Sequence, residues 1–98
     1  MSVKKLAPIH PGELLREELS EIGVSLNELS RALRVPMNRI SAIANGKRGI
    51  TADTAMRLAR YFGTSAQMWM NLQLAYDLEV AERELSARIA REVLPRSA

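Results

Sequence analysis

Residues 25–48 read SLNELSRALRVPMNRISAIANGKR, and this stretch decides the fold. Ser25 is a strong helix N-cap, and Glu28, three positions on, completes a capping box that satisfies otherwise unpaired N–H groups. Leu26, Leu29 and Leu33 then follow the i, i+3, i+7 spacing of a buried helical face. Pro36 prevents this helix from continuing, because it has no N–H to donate and disfavours helical geometry at Val35. A second short helix over 37–44 buries Ile40, Ile43 and Ala44 and leaves Met37, Asn38, Arg39, Ser41 and Ala42 on or near its outer side. Asn45 and Gly46, both suited to the left-handed conformation, end it. Two short helices on a three-residue hinge, Arg34-Val35-Pro36, make a helix-turn-helix.

The flanking sequence supplies a support for this pair. Upstream, His10-Pro11-Gly12-Glu13 opens a helix with Pro at its first position and an acid near its positive end. Leu14, Leu15, Leu19 and Ile22 are its apolar face, and Gly23 stops it. His10 is the chain's only histidine; with no metal-ligating or catalytic partner near it in sequence, its expected role is structural, as a cap. Residues 1–9 are expected to be a flexible arm in which Val3, Leu6 and Ile9 alternate loosely. Downstream, Thr51 caps a fourth helix that carries Asp53 in its first turn, buries Ala55, Leu58, Ala59 and Phe62, and ends at Gly63. Ser65 caps a fifth, with Met68, Trp69, Leu72, Ala75 and Tyr76 at helical spacing. Trp69 and Tyr76, at i and i+7, are expected in the core or at a dimer interface rather than in a ligand box.

The fifth pattern runs on. Leu78, Ala81, Leu85, Ile89 and Val93 continue an apolar stripe with no Gly or Pro before Pro95. Unbroken from 66 to 94, this helix would reach roughly 43 Å, longer than a domain of this size is wide. Glu79 with Arg83 and Glu84 with Arg88 are i, i+4 pairs on its wet side. Dimerisation through Trp69, Leu72, Tyr76, Leu78, Leu85 and Ile89 is the most economical use of the stripe. Packing back on its own domain comes second, and fraying after about Glu84 third. The expected organisation is an arm over 1–9, a helix-turn-helix region over 10–64 and a C-terminal helical element over 65–98, all one all-α domain.

Composition narrows the function. The chain has 98 residues, 47% hydrophobic but 4% aromatic, which favours helix and a single core. There is no cysteine, so thiolate metal sites and disulfides are excluded. No run approaches the roughly 18 apolar residues of a membrane span, and a soluble cytoplasmic protein is expected. One histidine and scattered carboxylates present no acid–base pair or metal constellation, so neither an enzyme nor a cofactor is expected. The net charge of +3 is uneven: residues 1–63 hold ten Lys or Arg against six acids, residues 64–98 four against five. From Leu29 to Ala52 there are five cations and no acid, as suits a face that meets phosphates.

A recognition helix presents its N-terminal outer residues to base edges in the major groove. Arg39 can pair bidentately with guanine O6 and N7 or grip a phosphate, and Asn38 can read adenine. Met37 offers an apolar surface to a thymine methyl, and Ser41 and Ala42 lie beside them. Asn45, Lys47 and Arg48 are expected to hold the DNA backbone, as are Ser25 and Asn27 at the start of the preceding helix. One module makes few contacts; a symmetric dimer on an inverted repeat doubles them.

These residues carry a resemblance. Residues 25–64 resemble the Xre/Cro-type helix-turn-helix family, a lambda-repressor-like fold, in which an Asn-Gly-Lys step like Asn45-Gly46-Lys47 follows the recognition helix. More narrowly, His10-Pro11-Gly12-Glu13, NGKRGITADTAMRLARYFGTS over 45–65 and MWMNLQLAYDLE over 68–79 resemble the HigA antitoxins of HigBA toxin-antitoxin modules. The resemblance implies a non-enzymatic, dimeric antitoxin that represses its own promoter at an operator and sequesters a cognate HigB-like toxin, a ribosome-dependent mRNA endonuclease. A stand-alone Xre-type repressor is the alternative. The chain departs from many relatives at Pro36 and Met37, where a hydroxyl N-cap and a glutamine are frequent, so base reading falls to Asn38 and Arg39.

Overall fold

The computed structural model describes residues 7–97, which form five helices and no strand: α1 (Pro11–Ile22), α2 (Leu26–Leu33), α3 (Met37–Ala44), α4 (Ala52–Phe62) and α5 (Ala66–Glu92). The predicted all-α architecture is the observed one. Val3 and Leu6 of the expected N-terminal arm lie outside the described residues; Ile9, at its end, is exposed.

Caps set most of the boundaries. Ser25 accepts from the Glu28 N–H while the Glu28 carboxylate accepts from the Ser25 N–H, the expected capping box. His10 builds a second one. Its Nδ1 accepts from the Gly12 N–H at 2.9 Å, and Glu13 returns a bond to the His10 N–H. The lone histidine is thus a structural cap. Gly23 and Gly63 close α1 and α4 in the left-handed conformation.

The hinge occupies Arg34-Val35-Pro36 as expected, between Leu33 and Met37, and the detail of two turns is added by the structure. Arg34, at φ 60°, ends α2 before Pro36 is reached, so an arginine does what glycine does after α1 and α4. Pro36 instead begins α3, with no side-chain cap. Asn45 is not left-handed, at φ −91°; only Gly46, at φ 73°, turns the chain. The reason is the Schellman pattern at this helix end: the Lys47 N–H donates to the Ala42 carbonyl and the Gly46 N–H to the Ile43 carbonyl, which puts Gly46 in the left-handed position and Asn45 one residue before it. The Asn45 side chain bonds Arg16 through Oδ1 and Ser41 Oγ through Nδ2.

Leu15, Leu19, Leu29, Leu33, Ile40, Ile43, Ile50, Ala55, Leu58 and Trp69 form one core to which all five helices contribute. On α1, Leu15 and Leu19 are in it, but Ile22, expected on the same face, is 48% exposed. Where α1 crosses α3, the helices touch backbone to backbone: a Cβ on Gly12 would stand 1.9 Å from the Ile43 carbonyl oxygen.

α5 divides in two. Its first half is anchored by Trp69, whose indole Nε1 donates to Thr64 Oγ1 at 3.0 Å, and by Gln73. From residue 82 to 97 every residue is exposed. The helix continues to Glu92, so it neither frays at Glu84 nor folds back on its own domain. The overhang makes the molecule long: its radius of gyration is 16.8 Å, against about 13 Å for a compact chain of this length. Arg83 pairs with Glu79 as expected, but Arg88 pairs with Glu92 rather than Glu84. On an exposed face the two pairings differ by only tenths of a kcal/mol, so the rotamer decides.

Gly12→Ala is expected to destabilise the fold by about 3 kcal/mol, because the clash is with backbone that cannot rotate aside. Urea denaturation measures it, and an unchanged midpoint would contradict the close crossing of α1 and α3.

Candidate nucleic-acid interface

The residues expected to meet DNA fall on three segments: the start of α2, α3 with its N-terminal turn foremost, and the loop after α3. Met37 and Asn38 are exposed, while Arg39, Ser41 and Ala42 are partly buried. Asn38, Ser41, Ala42 and Asn45 recur at the three- and four-residue spacing that puts side chains on one helical face. Lys47 and Arg48 are exposed on the following loop, and Ser25 and Asn27 at the start of α2.

Several of these side chains are already engaged. The Ser25 hydroxyl is committed to its cap, and the bonds from the Ser25 N–H and hydroxyl hold the Glu28 carboxyl below its usual range. A negative charge therefore sits at the α2 N-terminus, leaving Asn27 as the polar side chain there without a capping duty. Asn45 is tied into the helix packing: Arg16 of α1 donates to its Oδ1 and, through Nε, to the Ala44 carbonyl at 2.9 Å. Arg16 closes the C-terminal end of α3, where carbonyls lack intrahelical partners.

Arg39 is the most constrained. Its Nη1 donates to Asp53 Oδ2 at 2.7 Å, and Arg57 Nε donates to the same oxygen at 3.0 Å. Arg57 first and Arg39 second hold the Asp53 carboxyl below its usual range, so it stays charged at neutral pH. Arg57 Nη1 also donates to the Leu33 carbonyl at 2.8 Å. The acid-free run in the sequence thus acquires an acid in space from the first turn of α4.

The basic loop has its own anchor. Gln73 is 8% exposed; its Oε1 accepts from the Ile50 N–H at 2.8 Å and its Nε2 donates to Asp77 at 2.8 Å. Gly49 lies against the Gln73 amide, where a Cβ would come within 3.1 Å. Tyr76 stacks edge-on against His10, with ring centroids 4.8 Å apart. Three successive inward positions of α5, Trp69, Gln73 and Tyr76, therefore clamp the core, the basic loop and the start of α1.

The residues expected at a dimer interface differ in how much surface they keep free. Trp69, at 4% exposure, takes the first of its two expected places, the core. Leu72 is partly buried against the core, and Tyr76 is occupied with His10. Leu78, Leu85 and Ile89 remain exposed, at 53%, 39% and 49%.

Arg16, Asp53, Arg57 and Gln73 were not singled out as interface-shaping residues from the sequence. Gln73 had a readable signal, since it is a polar residue at i+4 and i−3 of two aromatics on the buried stripe. Asp53 and Arg57 had an i, i+4 spacing. Arg16 had none, because its partners lie 28 and 29 residues away.

The paired short helices, the exposed first turn of α3 and the basic loop behind it define a helix-turn-helix DNA-binding domain. A helix-turn-helix family model matches residues 15–69. The virulence-associated protein I of Dichelobacter nodosus is 54% identical over 81 residues, 82% of this chain and 75% of that protein. Among solved structures, an addiction module antidote protein of the HigA family from Coxiella burnetii superposes with a TM-score of 0.88 at 50% identity, covering 93% of this chain and all of that one. The Pseudomonas aeruginosa antitoxin HigA, solved with the higBA promoter, gives 0.87 at 48%, covering 92% and 99%. The chain belongs to the Xre-type helix-turn-helix family, in the group that contains the HigA antitoxins.

Removing Gln73 orphans a buried N–H, which costs about 1–3 kcal/mol. Gln73→Leu is expected to lower stability by that amount in chemical denaturation and to speed hydrogen exchange at the Ile50 amide. Unchanged exchange at Ile50 would show that the loop is held by something else.

Proposed function

We propose that this chain is an antitoxin and transcriptional autorepressor, acting as a dimer in the cytoplasm on an inverted-repeat operator in its own promoter and neutralising a cognate HigB-like toxin. The observation that carries the reading is the likeness, across nearly the whole chain, to a HigA antitoxin solved on promoter DNA. No helix among the described residues is long and apolar enough to cross a membrane, which is compatible with that setting. In this reading Asn38 and Arg39 contact base edges, while Met37, Ser41 and Ala42 pack along the groove. Asn27, Asn45, Lys47 and Arg48 hold phosphates, with Ser25 acting through the cap that orients α2. The α5 overhang, through Leu78, Leu85 and Ile89, joins two copies and sets two half-sites about one helical turn apart. The role is binding, with no reaction assigned to the chain.

Titration of the chain's own upstream DNA at several salt concentrations tests the reading of DNA. Arg39→Ala is expected to cost about 1–3 kcal/mol at the operator, and Lys47→Ala to weaken operator and random DNA alike while lowering the salt slope by about 1. Full operator affinity in Arg39→Ala would place the reading residues elsewhere. Leu85→Glu with Ile89→Glu is expected to yield a monomer in analytical ultracentrifugation; a persistent dimer would move the interface off the overhang. Co-purification with the product of the adjacent reading frame separates an antitoxin from a stand-alone repressor.

A further inference from the structure

Arg39 reaches its position by way of two other helices. A chain of donors and acceptors runs from the Leu33 carbonyl at the end of α2, through Arg57 and Asp53 of α4, to the guanidinium of Arg39 on α3. Both arginines bond the same oxygen, Asp53 Oδ2, at 2.7 and 3.0 Å. The bond from Arg39 uses Nη1 alone, so the edge formed by Nε and Nη2 is not taken by Asp53. That edge is one of the two with which a guanidinium pairs bidentately.

We propose that Asp53 is a positioning residue for operator reading: pinned by Arg57, its carboxylate orients the Arg39 fork before DNA arrives. This rests on the assignment of Arg39 as a base-reading residue. Two physical effects act together. An arginine side chain carries considerable rotamer entropy, and ordering it in the free protein removes that cost from the binding step. A carboxylate beside the groove also repels phosphates, so it weakens every docking in which Arg39 makes no compensating contact. Asp53 thereby raises the ratio of operator to random-sequence affinity, although a carboxylate by itself opposes DNA binding. A carboxylate whose role is only to join α3 to α4 would alter stability and leave that ratio unchanged.

The test is a double-mutant cycle on the full chain, with its own upstream DNA and a scrambled duplex of equal length as probes. Asp53→Asn is expected to raise affinity for the scrambled duplex and to lower the operator-to-scrambled ratio about tenfold, close to the worth of one good base contact. In an Arg39→Ala background the same substitution is expected to change the ratio less than about twofold, because the positioned group is gone. Arg57→Gln, which frees the carboxylate from its other side, is expected to move the ratio in the same direction as Asp53→Asn, and thermal melts verify that each variant is folded. If Asp53→Asn raises both affinities by one factor, or lowers the ratio equally with and without Arg39, Asp53 does not position Arg39. If Arg39→Ala itself leaves the ratio unchanged, the base-reading assignment fails and the proposal fails with it.

Discussion

The position of the recognition helix depends on the contact between Gly12 and the Ile43 carbonyl. Helix pairs ordinarily stand 8–10 Å apart, held off by their side chains. Here the absence of a side chain on α1 lets it lie against the backbone of α3. One turn later, Arg16 closes over the end of α3 by bonding Ala44 and Asn45. This matters because α3 has only eight residues, too few to be a stable helix alone. Its shape and direction are imposed by α1, and the opening tetrapeptide His10-Pro11-Gly12-Glu13 is better understood as the seat of α3 than as the start of α1.

From the other side, α4 and α5 hold what α1 does not reach. Asp53 and Arg57 connect the end of α2 to the first turn of α3, across the hinge that separates those helices. Gln73 holds the basic loop through its backbone rather than through Lys47 or Arg48. The cationic side chains therefore stay exposed while the peptide beneath them is fixed. Polar bonds carry this work because an apolar contact resists separation but sets direction poorly, whereas a hydrogen bond does both. The surface that would meet DNA is consequently held by buried or bridging polar groups drawn from three helices, Arg16 of α1, Asp53 and Arg57 of α4 and Gln73 of α5.

Much of this was legible in the sequence. The five helices and most of their ends follow from local chemistry: Ser25 with Glu28, Thr51, Ser65, Gly23 and Gly63 act within a turn of themselves. Turn chemistry was ambiguous where two neighbours both suit the left-handed conformation, as Asn45 and Gly46 do, and the closing bond from Lys47 to Ala42 chose Gly46, or where a residue accepted strain, as Arg34 did in the left-handed region, at a cost of about 1 kcal/mol or more. The site was legible as a set of positions and not as a set of states. Spacing places Arg39 on the outer side of α3, but that Asp53 holds it depends on how α4 crosses, which periodicity does not encode. Trp69 shows the same limit: its stripe was correct, but one helix can turn a stripe inward along half its length and outward along the rest.

That change along α5 is where packing meets function. Up to Tyr76 the stripe packs on the domain through Trp69, Leu72 and Tyr76, with Met68 and Ala75 exposed beside them, and beyond Glu82 no described residue buries Leu85, Ile89 or Val93. An unsupported helical end of this length is marginal in water, and burying its apolar residues against a second copy gains about 25 cal/mol for each Å² removed from water. In the proposed dimer the gain has a further consequence. The same helix that carries the interface also carries Gln73 and Tyr76, so the partner's position is linked without a flexible joint to the basic loop and to the seat of α3. A linker would let two recognition helices sample many separations; one continuous helix restricts them to a narrow range, and half-site spacing becomes a property of the fold.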